Sequence, residues 1–263
     1  MPKKKYNLAL VLSGGGARGM AHIGVLEILE KSNIVPNVII GTSAGALVGG
    51  MYAAGVLDKF KKELIGKKKE IKKILRVWPS REGLIKTDKL ERELKKLIGE
   101  RKIEELDKKF IAVSVDLLTG KKVLIEEGTL CQAILASIAI PLVFPPLHRE
   151  GTLLVDGGLE DPLPIDEGFR LARKVIAVDI TRSIDKIPKK DKYNFVDILE
   201  RALIIIQSEI SEAALKKYRH NLVVLKPDVN INTLEFSRSK EAISIGEEET
   251  KKNLEKIKEL LSR

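Results

Sequence analysis

The chain has one cysteine, Cys131, and three histidines, His22, His148 and His220. A single cysteine excludes an intramolecular disulfide framework and any zinc knuckle built on Cys-x-x-Cys, so no metal is expected. Aromatic residues make up 4% of the chain, with one Trp and four Tyr. That is too few to build the stacking surface that single-stranded nucleic acid needs, and no nucleic-acid partner is expected. No apolar run approaches the roughly 20 residues that cross a bilayer. The run from Leu8 to Leu12 follows Met-Pro-Lys-Lys-Lys and stops at Ser13 and three glycines, too short for a signal core, so the expected location is cytoplasmic.

What the chain does have is 44% hydrophobic and 32% charged residues over 263 positions, the balance of a globular protein, read here as a single domain. Lys and Arg number 47 against 37 Asp and Glu, a net charge of +10. Such a balance favours anionic partners, including a peripheral contact with an anionic membrane, although a well-solvated Lys/Glu surface accounts for the same numbers. Nothing in the pattern specifies an oligomeric state.

Apolar runs bounded by turn residues alternate with amphipathic stretches. Tyr6 to Leu12, Val38 to Ile40, Phe110 to Val115, Leu153 to Val155, Val175 to Val178 and Leu222 to Leu225 read as strands. Ala21, Val25, Ile28 and Leu29 share one helical face, as do Leu90, Leu94, Leu97 and Ile98. Short buried strands with helices on both faces make a three-layer α/β/α sandwich. Ala44 to Gly55 is uncharged all round, which predicts a central buried helix. Lys59 to Leu75 is basic with an apolar stripe of Phe60, Leu64, Ile71 and Leu75, and Trp78 follows it. It reads either as a solvated rim helix or as a lid or membrane-contact helix. Asn194 to Tyr218 and Glu241 to Leu261 read as two further long helices.

Two glycine motifs make different demands. In Ser13-Gly14-Gly15-Gly16-Ala17-Arg18-Gly19, placed between a strand and a helix, Gly14, Gly16 and Gly19 satisfy GxGxxG, which makes a dinucleotide-binding oxidoreductase the first rival. That fold wants an acid about 20 positions on, at the end of the second strand, and none occurs between Glu30 and Asp58. A phosphate-binding P-loop fails as well, because Met20 stands where its lysine belongs. A cluster of backbone N–H donors at a helix start still suits an oxyanion. Arg18 either adds charge to that site or braces the loop through a carboxylate.

The second motif, Gly41-Thr42-Ser43-Ala44-Gly45, is a GxSxG sequence between a strand and the uncharged helix. In a nucleophile elbow the Ser sits on a strained turn, the glycines avoid clashes, and the following N–H, here that of Ala44, donates to the oxyanion. A serine hydroxyl needs a base. His22 lies in the first helix, His148 follows a double proline and His220 ends a charged helix, so none is well placed. Asp116, Asp156 and Asp179 each end an apolar strand, where sheet sites open. Asp156 alone is followed by two glycines, Gly157 and Gly158, which would admit a substrate or the Ser43 loop.

The blocks GGGARG, GTSAG, ASIAIPLVFPP and DGGLEDPLP, in this order between about Leu8 and Ile180, resemble the patatin-like phospholipase family, in its compact prokaryotic form. Asp116 in Val115-Asp116-Leu117-Leu118-Thr119-Gly120 matches a further recurrent stretch of it. The resemblance implies a fold related to the α/β hydrolases and a Ser43–Asp156 dyad without histidine that cleaves lipid esters, phospholipids or lysophospholipids, through an acyl-enzyme. It also implies an oxyanion hole from Gly14, Gly15 and Gly16 supported by Arg18, and no cofactor. Ser13 and Asp161 depart from the residues common in the family, which leaves substrate preference open. A catalytically quiet, membrane-associated regulatory protein of the same fold is the second rival.

Overall fold

The computed structural model describes residues 4–66, 85, 87–182, 187 and 191–263. Among them lies an eight-stranded sheet flanked by helices. Its central strands are parallel: β2 (Val38–Thr42) and β7 (Ala172–Val178) flank β1 (Tyr6–Leu12), with β3 (Lys109–Asp116) beyond β2 and β8 (Leu222–Leu225) beyond β7. Three antiparallel strands complete it: β4 (Lys121–Ile125), β5 (Leu147–Arg149) and β6 (Thr152–Asp156).

The period-2 alternation of side chains sends β1 residues to two cores. Leu8, Leu10 and Leu12 join one, with Ile39, Phe110 and residues of α1 (Ala21–Lys31), α2 (Ala44–Ala53) and α5 (Leu130–Ser137). Ala9 and Val11 join the other, with Ile40, Val113 and Ile165 of α6 (Ile165–Leu171), and Leu215 of α7 (Phe195–Lys216) packs against it. Both faces are therefore covered, as near-continuous apolar strands require. The uncharged helix is central and almost wholly buried, as its composition predicts.

Three details differ from the sequence reading. The strands β4 and β5 were not expected, the first because it opens on two lysines and the second because it is a three-residue edge strand around exposed His148. The closing stretch is two helices, α8 (Ser239–Lys252) and α9 (Leu254–Ser262). Between them the Asn253 amide donates to Glu249 O, a side-chain-to-backbone bond of the kind that competes with helix continuation. The basic stretch after α2 is helical as α3 (Leu57–Gly66), and α4 (Asp88–Ile98) follows it in the chain. Ile71, Leu75 and Trp78 of the expected stripe lie outside the described residues.

The strand registers bring two distant segments together. Residues Lys109 to Val113 of β3 pair with β2, and Ser114 to Asp116 pair with β6. Ala112 to Asp116 pair with β4, which takes the opposite edge. Hence β2 and β6 share one edge of β3 and run toward each other, so that Thr42, opposite Val113, and Asp156, opposite Ser114, meet tip to tip.

Candidate active site

Ser43 follows Thr42 directly, and the turn there is strained. Its φ is 55° and its ψ −121°, a conformation a non-glycine residue adopts only where the surroundings impose it. Those surroundings are its flanking glycines: a Cβ at Gly41 would overlap the Gly45 carbonyl, and one at Gly45 would overlap Leu12 O. Ser137 at the end of α5 holds the turn. Its hydroxyl accepts from the Ser43 N–H at 2.9 Å and donates to Val113 O at 2.6 Å. The Thr42 hydroxyl donates to Asp161 O at 2.8 Å, tying the elbow to the loop beyond β6.

The Ser43 hydroxyl donates to Asp156 Oδ2 at 2.6 Å. The other oxygen, Oδ1, accepts from the Gly158 N–H at 2.7 Å. Asp156 is 3% exposed. Burial pushes its carboxyl up to about 6, against the two hydrogen bonds, which pull it down. The glycines after it serve a different purpose from the one the sequence suggested. A Cβ on Gly157 would press into Val113 O and one on Gly158 into the Gln207 amide, so they make room for β3 and α7 rather than for substrate.

The other two strand-end acids are spent elsewhere. Asp116 closes the β3–β4 turn, accepting from the Leu118 and Leu153 N–H groups and the Thr119 hydroxyl. Its carboxyl is lowered, chiefly by the Thr119 bond. Asp179 accepts from the N–H and hydroxyl of Thr181 and lies 3.7 Å from the Lys226 ammonium. The histidines stay out of the site too. His22 Nε2 lies 2.9 Å from Ser13 O in the core, where burial holds the ring down to about 4 and so neutral; its Nδ1 has no partner among the described residues. His148 and His220 are exposed.

The glycine turn faces the elbow, with a Gly14 Cβ position 3.3 Å from Ser43 Cβ. Its donors are fewer than the sequence suggested. The Gly14 N–H is taken by Pro162 O at 3.0 Å, whereas those of Gly15, Gly16 and Ala44 have no hydrogen-bond acceptor among the described residues. Arg18 corrects the expectation that it stands in the oxyanion hole. It turns into the core, where Nη1 donates to Ile231 O at 3.2 Å and sits 3.8 Å from Glu200. Glu200 accepts in turn from the Thr233 N–H and hydroxyl. Arg18 therefore braces the turn, charge paired with charge, against a segment far along the chain.

Behind the site Lys122, Asp161, Glu167 and Arg170 form a partly buried ion cluster, with Arg170 donating to Glu167 at 2.6 Å. Lys122 reaches Asp161 at 2.8 Å and Glu167 at 3.1 Å. Burial would lower the Lys122 ammonium, but the two carboxylates outweigh it and raise it. Asp161, an unusual residue at this position by resemblance, is thus the lysine's partner. In front of the site a cleft of about 250 Å³ starts at Ser43, Ala44 and Gly16 and runs between α3 and α4. Leu47, Phe60, Leu64, Leu94, Ile140 and Phe144 are among its walls, and Lys59, Glu63, Glu93 and Lys96 are its charged residues. Among the described residues no group of three His, Cys, Asp or Glu is placed to hold a metal ion, and no helix is long and apolar enough to cross a membrane.

Ser137, Thr42, Lys122 and Glu200 were not singled out from the sequence. Ser137 falls inside the ASIAIPLVFPP block, and only the tertiary fold reveals what its hydroxyl holds.

Comparison with known proteins places the chain in a family. An uncharacterized NTE family protein of Mycobacterium tuberculosis is 43% identical over 161 residues, 60% of this chain and 44% of that protein. Lysophospholipase NTE1 of Scheffersomyces stipitis is 28% identical over 271 residues, 91% of this chain but 17% of that protein. This chain thus spans less than half the length of these relatives. Among solved structures, VipD from Legionella pneumophila covers 98% of this chain and 67% of its own with a TM-score of 0.53, a likeness of fold at 14% identity. A family model described as patatin-like phospholipase matches residues 10–169, which include the glycine turn, the elbow and the Asp156 strand, and the chain therefore belongs to the patatin-like phospholipase family.

Proposed function

We propose that this chain is a serine acyl hydrolase in which Ser43 is the nucleophile and Asp156 its base. The observation that carries the reading is the 2.6 Å bond from the Ser43 hydroxyl to a buried carboxylate, at the head of an apolar cleft. Asp156 takes the hydroxyl proton as Ser43 Oγ attacks the ester carbonyl carbon, and the strained elbow presents that oxygen without reorganisation. The negative charge that develops on the carbonyl oxygen is met by the free N–H groups of Gly15, Gly16 and Ala44. The ester C–O bond then breaks, the leaving alcohol carries off the proton held by Asp156, and an acyl chain remains on Ser43. A water, deprotonated by Asp156, attacks the acyl-enzyme and releases the fatty acid with Ser43 restored.

A carboxylate of ordinary pKa is a weak base at neutral pH. The upward shift of Asp156 to about 6 brings it toward the range that suits proton transfer. The apolar cleft takes the acyl chain, and a lysophospholipid is the first substrate to try, since one relative is named a lysophospholipase. No cofactor or metal enters this mechanism. Ser43→Ala removes one oxygen from a preorganised site, and esterase activity should fall by about 10³-fold or more with the fold intact. A fluorophosphonate probe should label wild type on the peptide containing Ser43. Labelling elsewhere, or equal hydrolysis of a p-nitrophenyl ester by the variant, would remove Ser43 from its role.

A further inference from the structure

β4 opens on two lysines, and the second stands on its core-facing side. Lys122 and Leu124 share one face of the strand by its period of two, and Leu124 packs against the core that holds Leu163 and Ile165. From that face Lys122 reaches two acidic residues that are each only 9% exposed, Asp161 at 2.8 Å and Glu167 at 3.1 Å. Desolvation offsets much of what such a pair gains, and well-packed apolar side chains often serve stability as well or better. Stability therefore gives little reason for a lysine here, and what the pair holds in place is the better guide to its role. Glu167 is also matched by Arg170 at 2.6 Å, so Asp161 is the carboxylate that depends on Lys122.

Asp161 lies in residues 157–162, which join the base to the rest of the site. The segment begins directly after Asp156, and its Gly158 N–H donates to Asp156 Oδ1 at 2.7 Å. It ends on two consecutive carbonyls that hold the other two parts. Asp161 O accepts at 2.8 Å from the hydroxyl of Thr42, the neighbour of Ser43, and Pro162 O accepts at 3.0 Å from the Gly14 N–H. Gly15 and Gly16, whose N–H groups are free among the described residues, follow Gly14 directly. One short segment thus touches base, elbow and glycine turn with its own backbone groups. Within it the Asp161 N–H donates to Gly157 O at 2.9 Å, and Glu160 is exposed. The buried Asp161 carboxylate, through Lys122 on β4, ties the segment to the sheet.

We propose that Asp161 and Lys122 are positioning residues for the hydrolysis: their ion pair fixes residues 157–162, and through them the distances among Ser43, Asp156 and the oxyanion donors. The inference rests on the serine hydrolase reading and deepens it by adding two residues that lie outside the cleft. Such spacing matters because a displacement of about 1 Å can cost about 10²-fold in rate. The Asp156 carboxylate is hydrogen-bonded to Ser43 and Gly158, not to this pair, so the pair acts on geometry rather than on the proton affinity of the base.

The test is kcat and KM of the full chain for a short p-nitrophenyl ester, with each variant shown by circular dichroism to be folded at the assay temperature. Asp161→Ala and Lys122→Met should each lower kcat about tenfold with KM within about twofold of wild type. Asp161→Asn keeps an oxygen for the Lys122 ammonium and Lys122→Arg keeps a cation, so both should stay within about threefold of wild type. The double variant Asp161→Ala/Lys122→Met should lose no more than the worse single one, since both remove the same contact. The acid limb of the pH profile should stay in place. Where Lys122→Met does not fold, Asp161→Ala against Asp161→Asn carries the comparison. Losses that multiply in the double variant, a shifted acid limb, or a raised KM with kcat intact would overturn the proposal. A wild type that cleaves no ester would sink the hydrolase reading and the proposal with it, whereas an active wild type beside an unimpaired Asp161→Ala would sink the positioning role alone.

Discussion

Asp156→Asn separates a catalytic carboxylate from a structural one, because the two roles predict opposite changes in stability and activity. Asn keeps an oxygen to accept from the Gly158 N–H, so its amide nitrogen faces Ser43 and donates where the carboxylate accepts. The hydroxyl proton then has no destination, and kcat/KM should fall by about 10² to 10⁴, the usual contribution of a general base. Stability moves the other way. The wild-type carboxyl has its pKa raised in the folded state to about 6 from 3.8, so ionisation there opposes folding. That penalty is absent below about pH 4, grows as pH rises through the interval between the two values, and levels off above about pH 6. A shift of about two pH units corresponds to roughly 3 kcal/mol. The Asn variant has no such ionisation. Its stability relative to wild type should therefore rise by up to about 3 kcal/mol between pH 4 and pH 7, read from urea unfolding at each pH. The assays are ester hydrolysis at saturating and limiting substrate, and those unfolding curves. A variant that stays within tenfold of wild type, or a stability difference flat across this pH range, would refute the reasoning about this carboxylate.

The same shift predicts that wild-type kcat/KM falls about tenfold per pH unit below an apparent pKa near 6; His148→Gln and His220→Gln, both at exposed positions, should leave the profile unmoved, and loss of the limb in either would point to a histidine base. Ser137→Ala removes the acceptor of the Ser43 N–H and the donor to Val113 O; kcat should drop about tenfold and stability by about 1–3 kcal/mol, checked by turnover and chemical denaturation. Lys122→Met leaves Asp161 without its cation and Glu167 with Arg170 alone. It should cost about 3 kcal/mol at neutral pH, less where acid protonates the pair, as denaturation at pH 7 and pH 4 would measure.

The local devices were legible in the sequence because each follows from short-range sterics and periodicity. Apolar runs bounded by turn residues placed six strands, and an uncharged Ala/Gly helix had to be buried. Gly41 and Gly45 around Ser43 signalled an elbow, since only residues lacking Cβ fit that close to neighbouring backbone. The sequence could also reject the ribose ligand of a dinucleotide site, because an absent acid is visible without a structure. What it left open was everything that depends on which segments become neighbours. Three aspartates ended strands, and only the two glycines after Asp156 and the family resemblance set it apart from Asp116 and Asp179.

The sequence by itself determined the α/β character of this protein, its elbow and its glycine turn. The tertiary structure alone decided which acid meets the serine and which amides are free. The meeting rests on β3, whose single edge is shared by β2 and β6 so that Thr42 and Asp156 end against each other. Because a strand edge offers one hydrogen-bonding partner per position, that handover fixes the distance between residues 113 positions apart in the chain, a coupling no local pattern can carry. The donor set was settled in the same way. Pro162 takes the Gly14 N–H, and Ile231 with Glu200 takes the Arg18 head, since buried polar groups bind whatever partners the fold brings within reach.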